Sequence, residues 1–488
     1  MRRSVALSGA RSAAAVTSIG QVFRVVFQFL GGLLVARLVG PESYGILIMV
    51  LSVVGVAQIL GDFGLGAAII RDATLSQRQL SAVLFLNITI GFVLWACVYL
   101  SADALEAFFG QVGVAEVTQS ISSIFLATSV AAQYRSHLSR QRRFGAVVFV
   151  DLLAQVAGLA SAVGLALLGL GVWALVSQQL VVYWLSCFLF VGTSRWVPTW
   201  PAWHGMGGLL RFGSNHTLVQ GLAYVSQNSD KVVLGRFFDS VAVGLYGRAF
   251  QLGLVPVTQL VSPLSRVALA FMSNLPSHRE RWFAARDIRL VAIWFLGTPL
   301  VFVSISAEPL VRLLLGEVWL ECAPLLRLLA LAGFFEALTL CLGWTLLSLG
   351  QSGRLLRATL APRFLMIVGI IGLGRFGLYA AAILVLTIAV LAYLFVAASA
   401  GRSLGRSLRV SVTCGWESVL SLMLICIIGN LTVVATPVLN LSSWCQICLG
   451  LAMVLVGSAL AAVLSVRVRA SMLIALEVSG VRRRLGAL

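Results

Sequence analysis

The chain has 488 residues, 60% of them hydrophobic and 11% charged, with 35 Lys and Arg against 17 Asp and Glu for a net charge of +18. Soluble domains run near 25% charged, so a water-soluble globular protein is excluded, and with it a separate soluble catalytic domain. The basic residues sit in short clusters between apolar runs, the positive-inside pattern of a multi-pass membrane protein and not the continuous face that nucleic acid requires.

Five stretches carry no charge at all: 43–61, 79–102, 152–194, 376–401 and 418–466. The third and fifth are each long enough for two helical spans, so these stretches fix seven spans. With the remaining apolar runs the pattern predicts 14 transmembrane helices, at 13–36, 43–67, 80–102, 114–134, 146–168, 171–193, 212–235, 241–270, 288–307, 322–349, 355–374, 376–400, 416–436 and 445–466. The start Met1-Arg2-Arg3 resembles a signal peptide, but the run behind it is of span length and carries Arg24, which predicts an uncleaved first span.

A cytoplasmic N-terminus puts 26 of the 35 basic residues inside, among them Arg135, Arg140, Arg279, Arg281, Arg354, Arg357, Arg363 and Arg402. The outside loops then hold only Arg37, Arg236, Arg312 and Arg375 beside eight acids. Both termini are therefore expected in the cytoplasm. No loop is long enough for a periplasmic catalytic domain or a nucleotide-binding domain, so the machinery is expected inside the bundle.

A shift of 199 residues aligns Gln21 with Gln220, Gln28 with Gln227, Arg37 with Arg236 and Gly45 with Gly244. Spans 1–2 thus repeat as spans 7–8. An even number of spans separates the copies, so the halves share one orientation, a parallel-repeat architecture known among transporters. The fold expected is all-α and integral to the membrane: a six-helix lobe over 1–200, a second over 201–405, and two further helices with a basic tail over 406–488.

Span 1 carries Thr17, Gln21, Arg24 and Gln28 at steps of 4, 3 and 4, on one helical face. Span 7 carries Thr217, Gln220, Tyr224, Gln227 or Asn228, and Lys231 in the same rhythm. Two polar stripes on equivalent helices predict a shared aqueous cavity. A charge at mid-bilayer costs on the order of 2.5–3.5 kcal/mol, so Arg24 is expected to face that cavity or to pair with a carboxylate. Asp230 and Lys231 are adjacent and point about 100° apart, so one of them faces the cavity. Arg248 and Arg327 are further intramembrane cations, and Asp62, Asp151 and Glu336 are the acids buried or near the interface, although helix-end capping accounts equally for Asp151.

Several motif matches fail on context. Gly372-Leu-Gly-Arg-Phe-Gly377 fits a dinucleotide loop by letters, yet it joins two spans with no strand before it, and a turn is expected. Asp62-Phe-Gly64 copies a kinase triplet with no kinase around it. The lone Lys follows Asp230, so there is no phosphate-binding Gly-Lys-Ser/Thr loop. His137, His204, His216 and His278 are too dispersed to ligate a metal, and no cofactor or enzymatic constellation is expected. Cys445 and Cys448 lack the βαβ setting of a redox motif and are expected to pack as small residues.

Two segments carry a family resemblance. Arg37-Leu-Val-Gly-Pro-Glu-Ser-Tyr-Gly45 with Gly61-Asp-Phe-Gly-Leu-Gly66 resembles the opening of bacterial Wzx-type polysaccharide flippases, within the multidrug/oligosaccharidyl-lipid/polysaccharide exporter superfamily. Asp230-Lys-Val-Val-Leu-Gly-Arg236, Val243-Gly-Leu-Tyr246, Pro256 and Pro263 resemble that family's seventh and eighth helices. The resemblance implies a flippase, not an enzyme, moving an undecaprenyl-diphosphate-linked oligosaccharide to the periplasmic leaflet by alternating access. It implies substrate binding by Arg24, Gln21, Gln28, Gln220, Tyr224, Gln227, Lys231 and Arg248, with Asp62 and Asp230 as ion-coupling residues. Polysaccharide polymerase and chain-length proteins would be the partners. A peptidoglycan-precursor (lipid II) flippase is an open alternative. A drug/cation antiporter would favour an acidic cavity, and a membrane-embedded glycosyltransferase or polymerase a large periplasmic loop or acidic metal site.

Overall fold

The computed structural model describes residues 26–62, 69, 75–204, 207–407, 410, 415–435, 442–466, 468–470 and 472–473, and every regular element among them is helical. By length and composition eleven of the described helices can cross a membrane, fewer than the fourteen expected, and two shorter apolar helices, Val26–Val39 and Trp416–Thr432, accompany them. The 31-residue helix Gly207–Phe237 is not among the eleven, because its polar residues dilute its apolar content. The chain is an all-α, multi-pass membrane protein. It divides into two compact units, Met1–Gly244 and Leu245–Leu488.

The first unit holds α1 (Val26–Val39), α2 (Pro41–Asp62), α3 (Gln77–Leu100), α4 (Ala102–Phe109), α5 (Val114–Ser122), α6 (Ile124–Arg140), α7 (Phe144–Leu167), α8 (Val172–Ser194), α9 (Gly207–Phe237) and the start of α10 (Ser240–Gly253). Ser76 starts α3 with a reciprocal cap: its hydroxyl accepts from the Gln79 N–H at 3.3 Å and its own N–H donates to the Gln79 side chain at 3.0 Å. Gly110, at φ +67°, ends α4, and the Glu106 carboxylate accepts from the N–H groups of Gly113 and Ala115 at 3.2 and 2.8 Å, tying α4 to the head of α5. One end of this unit packs around Leu84, Tyr134, Leu138, Phe190 and Trp196. There the Trp196 indole donates to Gln77 at 2.8 Å, and the buried Gln133 amide donates to the Leu80 carbonyl at 3.0 Å. Asp151 pairs with Arg135 at 2.7 Å across α6 and α7, which supplies its structural role.

The starts of α2 and α10 meet within this unit. A Cβ on Gly45 would run into the Ser240 carbonyl, and one on Gly244 into the Pro41 carbonyl. Pro41 and Ser240 are themselves related by the 199-residue shift, as are Gly45 and Gly244. The repeat detected in the sequence is thus a reciprocal backbone contact that only residues without a side chain allow.

The second unit completes α10 and continues through α11 (Val255–Ser273), α12 (His278–Ala292), a π-helical turn at Ile293–Gly297, α13 (Thr298–Ile305), α14 (Ala307–Leu314), α15 (Cys322–Ser348), α16 (Ser352–Leu373), α17 (Leu378–Ser403), α18 (Trp416–Ala435) and α19 (Ser443–Leu464). α15 is apolar around nearly its whole circumference and is accordingly central, packed by α11, α12, α13 and α17. α16 rests chiefly on α17 and is exposed over most of its surface. α18 and α19 dock on α13 and α14 through Gly429 against Ile305 and Gly450 against Ser306, small residues that let membrane helices approach closely. Arg327 lies in the early turns of α15 and reaches Glu308 at 3.7 Å.

The Gly372–Gly377 segment is the expected turn. α16 runs into a 3₁₀ turn at Gly374–Phe376, and Gly377 at φ +127° starts α17. The expectation for the last cysteine pair is corrected: Cys445 and Cys448 are exposed in the first turns of α19, where Ser442 caps the helix, whereas Cys187, Cys322, Cys341 and Cys426 are buried.

Candidate functional site

α9 brings the polar stripe of the second repeat against α2. Tyr224 inserts between the two helices and its hydroxyl donates to the Leu51 carbonyl at 2.7 Å. The notch that receives it is Gly55, where any side chain would collide with the Tyr224 ring. One turn further, the Asn228 amide donates to the Tyr224 carbonyl at 3.0 Å, and its oxygen accepts from Lys231 Nζ at 2.8 Å. The Asp230 carboxylate is 2% exposed and accepts from the Lys231 N–H at 2.9 Å. Tyr224, Asn228 and Lys231 therefore form one connected rail along α9, with Lys231 anchored through Asn228.

Behind Tyr224 lies a cavity of about 130 Å³ enclosed by α2, α5, α6, α8 and α9, with Gln58, Gln179, Tyr183 and Tyr224 as its polar lining. Gln58 Nε2 donates to the Tyr183 hydroxyl at 2.7 Å. The lining carries no charge and offers amide and phenol groups beside the Phe125 ring, a set suited to hydroxyl-bearing, uncharged ligand groups or to water.

The structure treats the expected site residues differently. Tyr224 lines the cavity, and Gln220 and Gln227 are exposed on the adjoining face of α9. Gln28 is exposed on α1. Gln21 and Arg24 lie outside the described residues. Asp62 closes α2, and its side chain lies outside them too. Arg248 belongs to the second unit, is 2% exposed, and donates to Gln251 at 2.6 Å. Among the described residues no three His, Cys, Asp or Glu side chains gather to hold a metal ion.

Sequence reasoning missed Gln58, Gln179 and Tyr183. A signal was present. Gln58 is the single amide in the charge-free run 43–61, and Gln179 and Tyr183 stand four apart on one helical face. What no periodicity supplies is the meeting of α2 with α8 and α9.

Residues 34–324 match the family described as "Polysaccharide biosynthesis protein". The chain is 24% identical over 309 residues to the teichuronic acid biosynthesis protein TuaB of Bacillus subtilis, a match covering 61% of this chain and 62% of the relative. It is 24% identical over 301 residues to the succinoglycan biosynthesis transport protein ExoT of Rhizobium meliloti, covering 61% of each. The chain thus spans about 62% of the length of these curated relatives. Among solved structures, the lipid II flippase MurJ superposes with a TM-score of 0.69 over 91% of this chain and 98% of that one, at 14% identity, a likeness of fold. The family match covers more than half of the chain, which therefore belongs to the polysaccharide biosynthesis protein family.

Proposed function

We propose that this protein is a flippase that carries an undecaprenyl-diphosphate-linked oligosaccharide from the cytoplasmic to the periplasmic leaflet of a bacterial inner membrane, for assembly of a surface polysaccharide. The observation that carries the reading is the α9 rail. Lys231 is held in that rail by Asn228, and Gln220 and Gln227 are exposed beside it on the same helix, polar groups that in a membrane bundle call for water or a polar substrate. A diphosphate cannot cross hydrocarbon unaided, and a cation held by Asn228 offers it a charge-assisted partner. The uncharged cavity behind Tyr224 suits the hydroxyl groups of a sugar.

Relatives named for teichuronic acid biosynthesis and succinoglycan transport support a role in polysaccharide export, and the MurJ-like fold supports lipid-linked cargo. In this reading the protein is a transporter and not an enzyme. Both termini are cytoplasmic, residues 1–200 and 201–405 act as lobes in alternating access, and Arg24 and Arg248 add positive charge. Asp62 and Asp230 are candidates for ion coupling, and polymerase and chain-length proteins for partners.

The test is the leaflet distribution of lipid-linked oligosaccharide in cells lacking the protein, complemented with wild type or Lys231→Ala. Cytoplasmic-face accumulation relieved by wild type and not by Lys231→Ala is expected. An unchanged distribution in the deletion, in a strain without a second flippase, would overturn the reading. Accumulation of peptidoglycan precursor instead would move it to lipid II.

A further inference from the structure

Between α8 and α9 the chain has no helical residue from Arg195 to Trp203, and Pro198 and Pro201 fix their own φ and bias the residue before each toward extended backbone. Extended proline-rich backbone repeats every three residues, so positions three apart share a face. The contacts follow that rhythm. The Trp196 indole donates to Gln77 at 2.8 Å, the Thr199 N–H donates to the Ser81 hydroxyl at 2.8 Å, and the Ala202 N–H donates to the Arg78 carbonyl at 3.1 Å. One face of the segment is thereby laced to the first turns of α3. The next face holds Val197, Trp200 and Trp203, which are 73%, 84% and 53% exposed. An apolar ridge of two indoles and a valine stands clear of the unit on a backbone that is held in place.

Span length sets the depth of that ridge. α3, α7 and α8 have 24, 24 and 23 residues. At 1.5 Å rise per residue that is about 35 Å each, against a hydrocarbon core of about 30 Å, so their ends reach the headgroup layer. The segment rests on one such end, the start of α3 at Gln77. Tryptophan is favoured at that level because its ring is apolar while its N–H reaches water or a headgroup.

The same end of the unit is basic. Arg195 opens the segment, and Arg78 lies beneath its far half through the bond from Ala202. Arg142 and Arg143 occupy the turn between α6 and α7, which is tied to the end of α8 by a bond from the Arg143 guanidinium to the Thr193 carbonyl at 3.3 Å. All four are exposed, and Arg142 and Arg195 take left-handed backbone at φ +59° and +51°. No hydrogen bond or ion pair among the described residues engages the guanidinium of Arg78, Arg142 or Arg195. The one carboxylate in the sequence of α3, α6, α7, α8 and the two connections at this end is Asp151, and Arg135 holds it at 2.7 Å.

We propose that residues 195–204 form a membrane-interface strap that binds an anionic phospholipid, with Trp200 and Trp203 entering between headgroups and Arg78, Arg142 and Arg195 holding the phosphate. The two parts of the surface match the two parts of one molecule: the apolar ridge meets the glycerol and upper acyl region, and the guanidinium groups meet the phosphate above it. A zwitterionic lipid carries a cation of its own beside that phosphate, so the site prefers a headgroup with net negative charge. Nothing in this assignment depends on what the protein carries across the membrane.

The full-length protein in detergent micelles, titrated with phosphatidylglycerol or phosphatidylcholine and read by native mass spectrometry, tests the charged part. The first phosphatidylglycerol binds wild type more tightly than phosphatidylcholine does, and each of Arg78→Gln, Arg142→Gln and Arg195→Gln weakens it about fivefold. The combined variant Arg279→Gln, Arg357→Gln and Arg402→Gln, three exposed arginines of the second unit, keeps the wild-type affinity. Equal affinity of wild type for the two lipids, or equal losses in the two sets of variants, would overturn the proposal. Tighter binding of undecaprenyl phosphate than of phosphatidylglycerol at these arginines would overturn the assignment to phospholipid.

A second measurement reads the ridge in a bilayer and needs no arginine variant. In phosphatidylglycerol nanodiscs, the fluorescence that wild type has and Trp200→Phe with Trp203→Phe lacks is the contribution of those two indoles. Phospholipid brominated near the glycerol end of its acyl chains should quench that contribution more strongly than iodide in the water does. A contribution quenched by iodide and untouched by brominated lipid would place the ridge in water, as a surface for a soluble partner, and overturn the proposal.

Discussion

The reciprocal glycine crossing gives a quantitative expectation. A methyl group on Gly45 meets the Ser240 carbonyl, and one on Gly244 meets the Pro41 carbonyl and the Gly45 backbone. Overpacking that side chains can absorb costs about 1–3 kcal/mol, but a backbone carbonyl inside a helix start cannot rotate away. Each of Gly45→Ala and Gly244→Ala should therefore cost about 3 kcal/mol, with the two close to equal because the contact is reciprocal. The double variant should cost about 4 kcal/mol rather than the sum, since one separation of the helix starts accommodates both methyls. Gly164→Ala, in α7 with open space around it, is the control and should be neutral or stabilising by about 0.5–1 kcal/mol. Equilibrium unfolding of the full-length protein in mixed micelles by increasing dodecyl sulfate reads all four. Single costs near the control, or strict additivity, would refute the account of the crossing.

Gly55→Ala should expel the Tyr224 ring from its notch and break the bond to the Leu51 carbonyl, costing about 2–4 kcal/mol in the same assay, whereas Tyr224→Phe should cost only about 1 kcal/mol. Paired with Tyr224→Ala, the Gly55→Ala cost should largely disappear. Arg135→Ala should change stability by no more than about 1 kcal/mol, because the guanidinium paired with Asp151 is 46% exposed. Gly377→Ala, at φ +127°, should destabilise by about 1–3 kcal/mol, while Gly372→Ala, with nothing within 4 Å, should be nearly neutral. Neither should alter nucleotide binding, and detectable binding of a dinucleotide would restore the motif that the turn geometry removes.

The sequence determined the class of this protein because burial in lipid imposes a one-dimensional requirement. A span must be apolar for its whole length, so charge-free runs and the sidedness of Arg mark an all-α membrane chain without reference to any contact. The turn at Gly372–Gly377 was legible for the same reason, since it depends on neighbours a few residues away. The repeat was legible as an alignment of Gly45 with Gly244. Only the tertiary structure revealed that these glycines are needed where the repeat-related helix starts cross.

Helical period tells which residues share a face and not which helix that face meets. Tyr224 was found from its stripe, but Gln58 and Tyr183, bonded to each other across 125 residues of sequence, were not. Local chemistry fixed what each helix is; the energy of packing one helix against another decided which polar groups meet.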